Sequence, residues 1–310
     1  MAAQQIARDL TYASAAQGRP GRAIIRLMEN ATGRLGLIRR ARGYDAELAA
    51  GADFWEVMTR RYGLRLEIAG GALELIPRSG PLIVVANHPY GILDGLILGH
   101  MLSARRGGDF RLMAHRVFRK SAELEQVILP ISFDETKVAA RQNLETRAEA
   151  LRYLGQGGAI GIFPGGTVST AARPFGPAMD PGWRNFTAKM IAKSDATVLP
   201  VYFEGANSRL FQIASHLHYT LRMGLLLREF RQRVDSPVRV VIGAPLERSA
   251  LEPFRADAKA CMDFLRKATY DLSPGPMDAA RLGHEFEAKY KGRDDGGRNL
   301  RQRIGRADGP

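Results

Sequence analysis

Cysteine is almost absent. Cys261 stands alone among 310 residues, so no intrachain disulfide can form and no cysteine-based zinc site can be built, which suits a reducing compartment. Long apolar runs are missing too: the stretches 95–102 and 223–227 are among the longest. Both fall far short of the roughly 20 residues that cross a bilayer, so any membrane contact is expected to be peripheral. The first 20 residues hold no continuous apolar segment and carry Asp9, which predicts no secretory signal peptide and a chain that stays in the cytosol. No internal repeat is evident. No set of His and carboxylates has metal-ligand spacing, and no metal or resident cofactor is expected.

Lysine is scarce as well. Eight Lys accompany 37 Arg against 32 acidic residues, giving a net charge of +13. The bias towards Arg has two readings: a GC-rich genome, or a surface whose planar guanidinium forks suit phosphate oxygens. A nucleic acid, an anionic membrane and an acidic carrier protein would all be drawn to such a surface. Nucleic acid drops out because neither an RNA-binding aromatic motif nor a zinc finger accompanies the charge. The rest of the composition, 45% hydrophobic and 25% charged, is that of a globular protein with enough apolar material to fold without staples.

Residues 19–42 hold seven Arg against one acid, Glu29, with apolar residues between them. This reads as a basic amphipathic helix broken near Gly33 and Gly36, either lying on a membrane surface or packed on the main domain with a solvated Arg face. A second helix is expected over 45–62. Alternation over 64–76 predicts a hairpin turning at Gly70–Gly71. Short apolar runs at 82–86, 159–163, 197–203 and 238–242 read as buried strands, and helical patterns fill 92–102, 136–154, 183–192, 208–233 and 253–270. This alternation predicts a single α/β domain with a mixed, mostly parallel central sheet flanked by helices, and a site along the strand C-termini. Residues 1–62 form its basic helical lead-in, 63–272 the α/β domain, and 273–310 a loosely ordered basic tail.

Three loops follow strands and carry chemistry. In the first, Asn87-His88-Pro89-Tyr90-Gly91-Ile92-Leu93-Asp94, a strand-to-helix turn brings a carboxylate back to one imidazole nitrogen, and the other nitrogen can face a substrate hydroxyl. Spacing alone leaves open that Asp94 is only a helix cap. In the second, Phe163-Pro164-Gly165-Gly166-Thr167-Val168-Ser169, paired glycines let backbone N–H groups approach an anion and the hydroxyls of Thr167 and Ser169 add donors. It lacks the Lys and spacing of an NTPase phosphate loop, so nucleotide chemistry is not indicated. The third, over 198–208, ends in a polar corner with Glu204 and Asn207.

Taken in order, Asn-His-Pro-x-Gly-x-x-Asp-Gly, Phe-Pro-x-Gly-x-x-Ser and Leu-Pro-Val-Tyr-Phe-x-Gly-x-Asn-Ser resemble the glycerolipid and lysophospholipid acyltransferase superfamily over roughly residues 64–246. The likeness is to its bacterial hemolysin-like branch of lyso-ornithine-lipid and related lyso-aminolipid O-acyltransferases. The resemblance implies that His88 is the base and Asp94 its partner. It also implies that Asn87 and the segment 163–169 bind the acceptor and that 199–208 lies near the acyl donor. Two departures stand out: five residues, not four, separate His88 from Asp94, and Gly165 occupies the position where the superfamily usually has Glu. The segment 129–134 also lacks the Arg that glycerol-phosphate acyltransferases set against phosphate.

No Gly-x-Ser-x-Gly elbow is present, and Cys261 sits in an apolar helical pattern, so direct attack of the acceptor hydroxyl on a thioester fits better than a covalent acyl-enzyme. Backbone N–H groups near Gly165 and Gly166, or an Arg, are candidate donors to the oxyanion. Arg116, Arg119, Lys120, Arg173 and Arg184 are candidates for meeting anionic groups. His100 fits a packing role, and His216 and His218 stand in an apolar, basic stretch that reads either as cover for an acyl groove or an interfacial helix, or as a core helix. The expected activity is O-acylation of a lyso-aminolipid, with acyl carrier protein or coenzyme A thioester as co-substrate, by a peripheral enzyme at the cytoplasmic face of an anionic inner membrane. A lysophosphatidate or general lysophospholipid acyltransferase is the alternative within the class, and a non-catalytic lipid-surface protein the alternative outside it.

Overall fold

The computed structural model describes residues 10–16, 18–115, 122–132 and 136–287. The expected anion contacts Arg116, Arg119 and Lys120, and the end of the segment 129–134, lie outside them. Nine strands are present among the described residues: β1 (Arg65–Gly70), β2 (Leu82–Ala86), β3 (Phe110–His115), β4 (Ile128–Ile131), β5 (Ala159–Ile162), β6 (Thr170–Ala171), β7 (Ala178–Met179), β8 (Thr197–Phe203) and β9 (Pro237–Ile242). Seven form one sheet in the order β1-β9-β8-β2-β5-β3-β4, and β6 and β7 make a small antiparallel ribbon. Within the large sheet every pairing is parallel except β8 with β9. This is the mixed, mostly parallel α/β architecture that the sequence pattern predicts.

The central strand β2 is buried along its whole length because helices cover both faces. Leu82, Val84 and Ala86 point into one core cluster with Trp55, Leu93 and Ile97, while Ile83 and Val85 point into the other with Leu154, Met262 and Leu265. The period-2 alternation of a strand thus serves two cores at once. Helix Phe54–Arg61 lies so close on helix Ile92–Arg106 that a Cβ at Gly99 would fall 2.2 Å from the Trp55 ring. No described helix is long and apolar enough to cross a membrane.

The expected hairpin at Gly70–Gly71 does not form. Residues 73–75 turn into a short 3-10 helix, and β1 instead runs parallel to β9, Leu66 opposite Val238. Alternation records which face of a strand is buried; it does not say which strand is the neighbour.

The basic segment 19–42 is two helices, Arg19–Thr32 and Arg34–Ala41, broken at Gly33, whose φ of +132° suits glycine. Its inner side is packed: Ile25 is buried with Phe211 and Leu225, and a Cβ at Gly224 would meet the Met28 sulfur at 2.8 Å. Ile24, Leu27 and Leu35 remain exposed. The fully buried Glu29 accepts the Thr11 hydroxyl at 2.5 Å and the Tyr12 N–H at 2.6 Å, fastening residues 11–13 beside Val168 and Leu226.

The expectation of a loose tail from residue 273 is corrected as far as residue 287. Arg266 donates to the carbonyls of Ala279 and Arg281, the Gly283 N–H donates to Asp180 O at 2.8 Å, and Arg184 pairs with Glu285. A polar, glycine-rich composition still orders when buried guanidinium groups take up its carbonyls. Residues 288–310 lie outside the described residues.

Candidate active site

The three loops singled out in the sequence leave the C-terminal ends of the neighbouring strands β2, β5 and β8. Beyond the end of β2, the buried Asn87 donates from Nδ2 to Phe203 O at 2.9 Å and accepts the Phe203 N–H at Oδ1 at 2.7 Å. Both ends of its amide are thus spent on β8. Asn87 fastens the loop to β8.

His88 follows, with its side chain 18% exposed and Nδ1 3.0 Å from Asp94 Oδ2. The two atoms are close, but the approach is not that of a well-aligned hydrogen bond. Phe163 stacks on the imidazole, centroids 4.3 Å apart and planes 24° from parallel. The His88 main chain is held on both sides: its N–H donates to Asp180 Oδ1 at 3.2 Å, and its carbonyl accepts the Ser169 N–H at 2.7 Å.

Asp94 is fully buried in the first turn of helix Ile92–Arg106. Its Oδ2 accepts the N–H groups of Tyr90 at 2.8 Å and Gly91 at 3.0 Å, so the carboxylate caps the helix and faces the imidazole with the same oxygen. Asp94 thus caps the helix and lies against the imidazole at the same time. Gly91 takes φ +89°, which lets the chain double back within so short a loop. Burial pushes the Asp94 carboxyl above its ordinary pKa, while His88 and the two N–H groups pull the other way.

The second loop encloses a residue that the motifs do not contain. Asp180 is fully buried; its Oδ1 accepts the Ser169 hydroxyl as well as the His88 N–H, and its Oδ2 accepts Trp183 Nε1–H at 2.9 Å. A Cβ on Gly165 would lie 3.1 Å from the Asp180 carboxyl carbon and Oδ2. The space that a side chain at 165 would enter is thus filled by a carboxylate from 15 positions downstream. Ser169 is committed to Asp180. The Gly166 N–H closes onto Phe163 O at 3.1 Å, which removes it as an oxyanion donor. Pro164 is buried and its carbonyl accepts the Arg184 N–H at 2.9 Å. Phe163, Gly166 and Thr167 are the partly exposed members of the loop.

In the third loop, Glu204 pairs with Arg239 at 3.1 Å, its carbonyl accepts the Tyr90 hydroxyl at 2.9 Å, and Asn207 is buried. The anion candidates divide. Arg173 is exposed beside the β6–β7 ribbon, whereas Arg184 is bound to Glu285 at 2.7 Å and Glu287 at 3.0 Å, so its charge is already met. His216 Nε2 lies 2.9 Å from Ala171 O, and His218 Nδ1 accepts the Thr220 N–H, capping helix Tyr219–Arg233. Among the described residues, no three His, Cys, Asp or Glu side chains converge as metal ligands.

Arg222 was also missed. It is 1% exposed, and its guanidinium donates into the second loop at Thr167, Val168 and Thr170. The signal was a lone charge inside the apolar run Leu221–Leu227 of a helix. Asp180 left no comparable signal, because the His88 main chain that it holds lies 92 positions away.

A model of the acyltransferase family matches residues 44–280. Two relatives are each a lyso-glycine lipid O-acyltransferase. The protein from Phocaeicola vulgatus is 24% identical over 234 residues, spanning 74% of this chain and 80% of that protein. The one from Bacteroides thetaiotaomicron is 25% identical over 230 residues, spanning 72% and 80%. The crystal structure of the 1-acyl-sn-glycerophosphate acyltransferase PlsC from Thermotoga maritima aligns over 83% of this chain and 98% of its own, with 16% identity and a TM-score of 0.42.

Proposed function

The chain belongs to the acyltransferase family, and from that premise we propose that it transfers a fatty acyl group from a thioester, acyl carrier protein or coenzyme A, to the free hydroxyl of a lyso-aminolipid. The observation that carries this reading is the His88–Asp94 contact at the C-terminal ends of β2 and β5. Both relatives act on a lyso-glycine lipid, which favours an amino-acid head group in the acceptor.

In the proposed reaction, His88 Nε2 takes the proton of the acceptor hydroxyl as its oxygen attacks the thioester carbonyl. Asp94 stabilises the imidazolium that forms. The tetrahedral intermediate collapses with loss of the thiolate, which takes the proton from Nε2, leaving an ester and a free thiol. A positioned base of this kind contributes roughly 10²–10⁴-fold in rate. No acyl-enzyme is invoked: the Ser169 hydroxyl is committed to Asp180, and Cys261 is 4% exposed with its thiol pushed up to about 11 by burial.

The enzyme is proposed to work while resting on the cytoplasmic face of an anionic membrane. Ile24 and Leu27 on helix Arg19–Thr32, Leu210 and Leu217 on helix Arg209–Leu217, and Tyr219 are exposed, with Arg19 and Arg22 beside the first pair. Apolar side chains flanked by Arg suit the boundary between head groups and acyl chains.

The test is incubation of the purified full chain with radiolabelled acyl-carrier-protein or acyl-coenzyme A thioesters and a panel of lyso-lipids. Ester formation on a lyso-glycine or lyso-ornithine lipid is expected. Acylation of lysophosphatidate alone, or of nothing, would overturn the reading.

A further inference from the structure

A buried charge in a folded protein is normally met by an opposite one. Arg222 is 1% exposed and no carboxylate of the described residues contacts it. Its guanidinium lies between two rings, with its carbon 4.9 Å from the Phe211 centroid and 4.2 Å from that of Phe286. Its four described hydrogen bonds end on neutral oxygens: Thr170 Oγ1 at 2.6 Å, Ser215 Oγ at 3.0 Å, Thr167 Oγ1 at 2.9 Å and Val168 O at 2.9 Å. Burial without a counter-charge drags its pKa down to about 9.

The three hydroxyls are not equivalent. Thr170 passes its hydrogen to Val168 O at 3.0 Å and Ser215 passes its own to Phe211 O at 2.7 Å. Thr167 is half-buried, and its hydroxyl has no acceptor among the described residues. A lone pair committed to Arg222 directs that hydrogen away from the guanidinium. Two residues on, the Ser169 N–H holds the His88 carbonyl, which ties this loop to the one that carries the proposed base.

We propose that Arg222 and Thr167 form the subsite for the acceptor's head-group carboxylate: the carboxylate accepts the Thr167 hydroxyl hydrogen and supplies a negative charge that no described residue gives the buried guanidinium. A positive charge unmatched among the described residues and one donor directed away from it suit a monoanion. The proposal rests on the lyso-aminolipid reading above.

The experiment compares a lyso-glycine lipid with its glycinamide analogue, equal in chain and hydroxyl but uncharged. Calorimetric binding without donor and kcat/KM with donor are read separately, for the wild type, Thr167→Val and Thr167→Ser. Wild type is expected to favour the acid in both readouts, Thr167→Val to lose roughly 10- to 100-fold of that preference, and Thr167→Ser to keep it. Equal treatment of acid and amide by the wild type, or an equal loss on both acceptors in Thr167→Val, would overturn the subsite. Binding that favours the acid without any turnover would instead keep the subsite and sink the acyl-transfer reading.

Discussion

Oδ2 of Asp94 lies 3.0 Å from His88 Nδ1 and also accepts the main-chain N–H groups of Tyr90 and Gly91. One oxygen closes the loop and orients the imidazole. The two roles separate by substitution. In Asp94→Asn the side-chain carbonyl can still accept the two N–H groups, so thermal unfolding at neutral pH stays near that of the wild type, while acyl transfer falls about 10²–10⁴-fold because the imidazolium loses its counter-charge. Asp94→Ala loses the cap as well, at a cost of about 1 kcal/mol or more. Parallel rate and unfolding measurements check this. A near-wild-type rate in Asp94→Asn would leave Asp94 as a cap alone.

The buried carboxyls set a sign for the pH dependence of stability. Burial raises the pKa of Asp94 above 3.8 and that of Glu29 above 4.5. Each binds its proton more tightly in the fold, so its stabilisation is fully present below the unfolded-state pKa and is lost as pH rises through the folded-state one. The Tm difference, wild type minus Asp94→Asn, should therefore shrink as the pH is raised from about 4, and the difference for Glu29→Gln should follow. Calorimetric scans at rising pH check it; a gap that widens with pH would refute the direction.

Gly165 and Asp180 make a complementary pair. Three donors hold the Asp180 carboxylate, so it cannot give way to a new Cβ 3.1 Å away. Gly165→Ala should destabilise by roughly 1–3 kcal/mol and slow the reaction, and Gly165→Glu, which writes in the superfamily's usual residue, should do more damage. Asp180→Gly should relieve part of the Gly165→Glu defect. Denaturant titrations of the singles and the double supply the cycle, and additive costs would mean that the residues are not coupled.

The exposed apolar residues on helices Arg19–Thr32 and Arg209–Leu217 predict membrane behaviour. Leu27→Asp with Leu217→Asp should greatly reduce flotation with anionic vesicles while leaving Tm within a few degrees, since both side chains are 71% exposed. Raising the salt should weaken wild-type flotation as the Arg field is screened. Flotation that the double variant keeps would place the contact elsewhere.

What could be read in the sequence was what is local. The His88–Asp94 loop closes within six positions, and the break at Gly33 is written in one residue. The strands β2, β5, β8 and β9 announced themselves as apolar runs between polar loops. What could not be read depends on distant partners. β1 pairs with a strand some 170 positions away, so its alternation looked like a hairpin. Asp180 and Arg222 serve the loop 163–169 from later segments, and Phe286 covers Arg222 from a stretch whose composition looked loose. The fates of Asn87 and Arg184 also turned on partners, Phe203 and Glu285, 116 and 101 positions away.

The most direct test of the account is acyl transfer to a lyso-glycine lipid by the wild type and by His88→Ala, measured with a radiolabelled thioester alongside thermal unfolding of both proteins. The account predicts ester product from the wild type and a rate lower by about 10²–10⁴-fold from His88→Ala, with Tm nearly unchanged. No product from the wild type, or wild-type turnover by a folded His88→Ala, would contradict it.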